Sequence, residues 1–109
     1  MDAPYETHLV QLAQATADHV GLAATMTAAD CLVNGDYMGA GYGVVGELER
    51  EAIRLMARHE GVLLDPVYTG RAFGALLDLV RRQVFSRSET VLFWHTGGAP
   101  ALFAYAADL

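Results

Sequence analysis

Three clusters of residues in this 109-residue chain have types and spacing that could do chemistry. The first is Tyr68-Thr69 inside Val62–Ala72, VLLDPVYTGRA, where an apolar run, an Asp-Pro turn and a glycine follow one another. A chain that passes from an extended run through a turn into a helix leaves backbone N–H groups and polar side chains at a sheet edge, where α/β proteins place ligands. Thr69 also reads as the N-cap of the helix that follows. The second cluster is Tyr42 in Gly39-Ala40-Gly41-Tyr42-Gly43, whose alternating glycines let the backbone turn sharply or simply connect two elements. His95-Thr96-Gly97-Gly98 is the third. A phenol moves protons only when burial or a nearby cation perturbs it, and a buried tyrosine with a satisfied hydroxyl is the plainer reading of Tyr42 and Tyr68.

Other chemistry is excluded by what the chain lacks. All seven basic residues are arginine, so no side-chain amine on this polypeptide can form a Schiff base. The four histidines, His8, His19, His59 and His95, have no ligand spacing, and His59 reads as a charge at a helix C-terminus, which argues against a metal-dependent hydrolase. A net charge of −6 disfavours nucleic acid and anionic membrane as partners, since both demand a basic face. The single Cys31 allows no internal disulfide and fits a reducing, cytoplasmic setting. No N-terminal leader pattern and no continuous apolar segment of about 18 residues is present, so neither secretion nor membrane spanning is expected. With 53% hydrophobic and 18% charged residues, the composition suits one segment with a real core.

The elements that must position these residues follow from periodicity. Tyr5 to Val20 carries an apolar face at helical spacing, with Gly21 as its C′ residue. Gly21 to Asp30 reads as a loop or as a short strand and turn. Cys31 to Met38 fits either a hairpin about Asn34-Gly35 or a bent strand. Glu47 to Glu60 predicts a helix with Leu48, Ala52, Leu55 and Met56 inward, acids in its first turn, and Arg54 and Arg58 toward its end. Val62–Leu64 and Thr90–Trp94 read as buried strands, Arg71 to Val84 as a second amphipathic helix, and Pro100 as the first turn of a closing helix through Tyr105. This order predicts an α/β fold with a partial, largely parallel sheet flanked by helices. The loops Asp65–Gly70 and His95–Ala99 would then emerge at one sheet edge.

Taken together, GAGYG at Gly39–Gly43, EGVLLDPVYTGRA at Glu60–Ala72 and LFWHTGGAPALFAY at Leu92–Tyr105 resemble, in order and spacing, the D-cysteine desulfhydrase and 1-aminocyclopropane-1-carboxylate deaminase family of pyridoxal-phosphate enzymes. The resemblance spans essentially the whole chain. It implies a tryptophan-synthase-β-like fold in an enzyme roughly three times as long, with residues 1–109 as the C-terminal third of the larger domain. It also implies that the lysine holding pyridoxal 5′-phosphate lies in an N-terminal portion not included in these residues.

Residue by residue, Tyr42 and Tyr68 resemble the family's active-site tyrosines, near the substrate carboxylate or the reacting carbons. Thr96 resembles the hydroxyl residue facing the pyridine nitrogen; a hydroxyl does not hold that nitrogen protonated, which favours β-elimination. Gly97 and Gly98 would let the backbone pass close to the cofactor ring, with Thr69 also on the cofactor side. Threonine at both 69 and 96 resembles the desulfhydrases, since the ring-opening deaminases carry an acid and an apolar residue there. Two departures are Val45-Gly46, where the family has a proline and a hydroxyl residue, and Arg71, which replaces a common lysine. A sulfo-lyase acting on cysteate has a similar C-terminus. The implied function is therefore a lyase segment acting on a small amino acid and inactive alone. The alternative is a non-catalytic module that docks with a separate N-terminal polypeptide or forms homo-oligomers such as a dimer.

Overall fold

The computed structural model describes residues 3–109, with side chains from residue 5 onward. Helix α1 spans Ala3–His19, α2 Glu47–Glu60 and α3 Thr69–Arg81, and short 3-10 turns cover Ala28–Asp30 and Ala99–Phe103. The chain divides into two compact units, one ending at Asp36 and the other running Tyr37–Leu109.

In the first unit, α1 ends as its sequence predicts. Gly21 takes a left-handed φ of 73°, and the Leu22 N–H reaches back to the Ala17 carbonyl at 2.8 Å. The amide of Gln14 then organises the next stretch as a loop, donating to Ala24 O at 3.1 Å and accepting from Met26 N at 2.8 Å. At Asn34-Gly35 there is no hairpin: the Asn34 carboxamide accepts the Asp36 N–H at 2.8 Å, so the local side-chain turn replaces a strand pair.

The second unit is built on α2 against α3. Ile53 and Met56 of α2 bury against Leu64, and Phe73, Phe93, Leu102 and Leu109 pack around them. Gly74 lets the helices approach, because a Cβ there would collide with Leu48. The α3 boundaries differ from those predicted. The helix begins at Thr69 and ends at Arg81, where Gln83 turns left-handed at φ 59° and leaves Val84 exposed.

The expected sheet is absent: among the described residues there is no strand. Thr90–Trp94, read as buried on both faces, runs as irregular chain with Leu92 and Trp94 exposed by 78% and 76%. Only Phe93 turns inward, meeting Phe73 at a ring separation of 5.2 Å. A β-rich apolar run states a preference that only a neighbour's backbone can complete, and parallel pairing needs that neighbour at ladder distance. Residues 62–64 and 90–94 do not supply it to one another; their link is a side chain, His95 Nε2 to Leu63 O at 3.1 Å.

Candidate active site

The stretch that opens α3 is held from within by Asp65. Its carboxylate, 2% exposed, accepts the backbone N–H groups of Val67, Tyr68 and Thr69, each at 2.7 Å, and the Thr69 hydroxyl at 2.7 Å. That hydroxyl also accepts the Asp65 N–H at 2.8 Å. Asp65 thus satisfies the unpaired donors of the helix start and sits where the helix dipole favours an anion. Burial pushes its carboxyl upward, but the bonds from Thr69, then from Tyr68 and Val67, hold it below the ordinary aspartate value. Thr69 is not the N-cap that its sequence position suggests; it is the first helical residue, buried and locked to Asp65.

The second loop packs on this base. Gly98, at φ 98°, lies so close that a Cβ would stand 2.8 Å from the Asp65 carboxylate. The Thr69 hydroxyl lies 3.5 Å from Gly97 O. His95 ties the loop down at both ring nitrogens: Nδ1 accepts the Gly97 N–H at 3.1 Å, so Nε2 carries the proton toward Leu63 O. Gly97, at φ 99°, has nothing within 4 Å of a Cβ position, and Thr96 beside it is exposed. The two loops meet as expected although the sheet that was to bring them together is missing.

Tyr42 completes the cluster from 26 residues away. Its hydroxyl shares a 2.7 Å hydrogen bond with that of Tyr68, and the rings meet edge to face at 5.9 Å. Both are open to solvent, at 79% and 63%. The bond to Tyr42, then burial and the nearby negative groups, raises the Tyr68 phenol above its ordinary value. Two hydroxyls sharing one bond use one proton between them. The other is left to donate outward, which suits a carboxylate.

An exposed phenol pair competes with water and cannot alone order a loop whose residues each cost about 1–2 kcal/mol to fix. The ordering comes from Arg71. Its Nε donates to Glu49 Oε1 at 2.6 Å, Nη1 to Met38 O at 2.6 Å and Gly41 O at 3.2 Å, and Nη2 to Val44 O at 2.9 Å. Glu49, 3% exposed, uses its second oxygen to accept the Gly46 N–H at 2.9 Å, closing the start of α2 where glycine offers no cap of its own. Burial raises the Glu49 carboxyl, but the Arg71 bond and the backbone donors bring it below its ordinary value. Asp65, Glu49 and Arg71 were not among the residues the sequence marked as functional. Signals for them existed: an acid four residues before a helix start, an acid three residues after a glycine, and an arginine beside the buried Gly70.

The model of the pyridoxal-phosphate-dependent enzymes matches residues 3–97. The chain belongs to this family. D-cysteine desulfhydrases of Salmonella paratyphi C (strain RKS4594), Salmonella choleraesuis (strain SC-B67) and Salmonella typhi are each 47% identical to it over 103 residues, or 94% of this chain. The chain spans 30% of the length of these relatives. The family's cofactor fits one side of the cluster. Gly97 faces open space without a Cβ, and the exposed Thr96 hydroxyl is free to hydrogen-bond a ring nitrogen. The covalent anchor does not come from these residues, because the sequence has no lysine. Among the described residues no group of acids, histidines and cysteine could hold a metal, and no helix is long and apolar enough to cross a membrane.

Proposed function

We propose that residues 1–109 are the C-terminal portion of a cytoplasmic pyridoxal-phosphate lyase of the D-cysteine desulfhydrase type. The complete enzyme would convert D-cysteine and water to sulfide, ammonia and pyruvate. The observation that carries this reading is the 2.7 Å Tyr42–Tyr68 bond, beside a base formed by Thr69, Gly97 and Gly98, in a chain 47% identical to such enzymes. When bound, pyridoxal phosphate withdraws electrons from the substrate's α-carbon. The chain's own part is placement. The outward hydroxyl proton of the Tyr42–Tyr68 pair orients the substrate carboxylate. Thr96 offers the pyridine nitrogen a hydroxyl and not a charge, and Gly97 and Gly98 leave room for the ring. Thr69, its hydroxyl engaged by Asp65, forms the floor beneath the cofactor. Without a lysine the chain alone is inactive.

The test is a chimera in which this chain replaces the matched portion of a Salmonella D-cysteine desulfhydrase. Sulfide from D-cysteine, abolished when the missing portion's lysine is replaced, is the expected result. Ring opening of 1-aminocyclopropane-1-carboxylate, or sulfite from cysteate, in place of sulfide would move the assignment to the deaminase or the sulfo-lyase. A second reading, a non-catalytic assembly module, is favoured by the exposure of Leu92 and Trp94, which a partner would cover. Size exclusion would detect it as a dimer, or as a complex with a separate N-terminal polypeptide, that forms without any activity.

A further inference from the structure

We propose that His95 is the positioning residue of the Thr96-Gly97 turn: Nδ1 shapes the turn and Nε2 seats it on the Leu63 carbonyl, so that the Thr96 hydroxyl stands where the pyridine nitrogen of the cofactor arrives. The inference rests on reading Thr96 as the residue that meets that nitrogen. Thr96 lies between an imidazole and two glycines, and the glycines alone cannot place it. Gly97 and Gly98 both stand at left-handed φ, 99° and 98°, and such backbone takes many courses. Gly98 is fixed by its packing on the Asp65 carboxylate, whereas nothing lies within 4 Å of a Cβ position on Gly97. The course of the turn must therefore be chosen from the other side of Thr96.

His95 makes the choice with two bonds from one ring. Nδ1 accepts the Gly97 N–H at 3.1 Å, the same bond to the backbone two residues on that an asparagine makes in a turn. An asparagine side chain ends there. The imidazole has a second nitrogen, and with Nδ1 accepting, Nε2–H is the donor to Leu63 O at 3.1 Å. That carbonyl is a stiff point, because Leu64 follows it at 0% exposure and Asp65 comes next at 2%. Asp65 in turn holds the N–H groups of Tyr68 and Thr69. The ring therefore registers Thr96 to the same base that carries Thr69. A single bond from an exposed side chain such as His95 trades readily with water, but two bonds in different directions leave a planar ring one orientation.

Two variants separate the two bonds. His95→Asn sets its oxygen where Nδ1 stands but falls short of Leu63, and His95→Gln reaches Leu63 but offers no acceptor at the Nδ1 position. In the 109-residue chain, hydrogen exchange followed by NMR should find the Gly97 amide protected, still protected in His95→Asn, and faster in His95→Gln and His95→Ala, with the backbone signals of α2 and α3 in place. A Gly97 amide that exchanges as fast in the unsubstituted chain as in His95→Ala would overturn the proposal. In the chimera, affinity for pyridoxal phosphate, read from the absorbance of the bound cofactor, should fall about threefold in His95→Asn and in His95→Gln, and about tenfold in His95→Ala. Affinity unchanged in His95→Asn would remove the seat on Leu63 and overturn the proposal. Thr96→Val should also weaken the cofactor, and adding His95→Ala to it should cost no more than about twofold further. Losses that multiply, including those from general misfolding, would overturn it. If Thr96→Val leaves the affinity and the absorbance unchanged while the exchange pattern holds, the placing of the turn by His95 stands and the reading of Thr96 falls.

Discussion

The two loops that carry the tyrosines are held in opposite ways. The Tyr68 loop is fixed from inside by its own carboxylate, Asp65, which is 2% exposed and accepts three backbone N–H groups. The Tyr42 loop has one long bond of its own, Val44 N–H to Gly41 O at 3.3 Å, and is otherwise fixed from outside by Arg71 on α3, through carbonyls at 2.6, 3.2 and 2.9 Å. One loop is part of the core's edge; the other is tied to it by the arginine of α3.

The contrast can be broken most severely at Asp65. Asp65→Ala leaves three N–H groups and a buried hydroxyl without their acceptor and should lower stability by about 3 kcal/mol or more, read as the urea midpoint. Arg71→Met should come next, at about 2–3 kcal/mol, because Glu49 is left buried with its charge unpaired. Gly98→Ala adds a Cβ 2.8 Å from Asp65 at a φ of 98° and should cost about 1–3 kcal/mol in the same measurement. Acid should loosen both loops. The folded-state values of Asp65 and Glu49 are depressed, so their stabilisation is fully present above the ordinary carboxylate range and is lost as pH falls through the folded values. Thermal midpoints should therefore be flat near neutrality and decline below about pH 4, and Arg71→Met should flatten the Glu49 part of that decline. The smallest effect belongs to Tyr42→Phe, which removes an exposed bond and should leave the urea midpoint unmoved while lowering the chimera's kcat.

The helices were legible because their periodicity is strong. Ala52 and Met56 lie inside as predicted, and Gly21 and Gly61 end their helices at φ 73° and 66°. The sheet was not, since TVLFW encodes a preference for extended chain and says nothing about who pairs with it. Ile53 was missed beside Ala52, because a stripe read at spacings of three and four passes over a neighbour that also turns inward. The motifs were legible in the sequence, and the structure brings Tyr42, Tyr68, Thr69, Gly97 and Gly98 close together. What holds them was not legible. Asp65 reads as half of an Asp-Pro turn, and Arg71 as a charge-conserving replacement for lysine, until the carbonyls it grips are visible.

The claim that this chain is one wall of a lyase site, without the amine that runs the reaction, is tested most directly by sulfide release from D-cysteine in the presence of pyridoxal phosphate. The 109 residues alone should release none, and the chimera carrying the same residues should release it at a measurable rate. Sulfide from the isolated chain would contradict the claim.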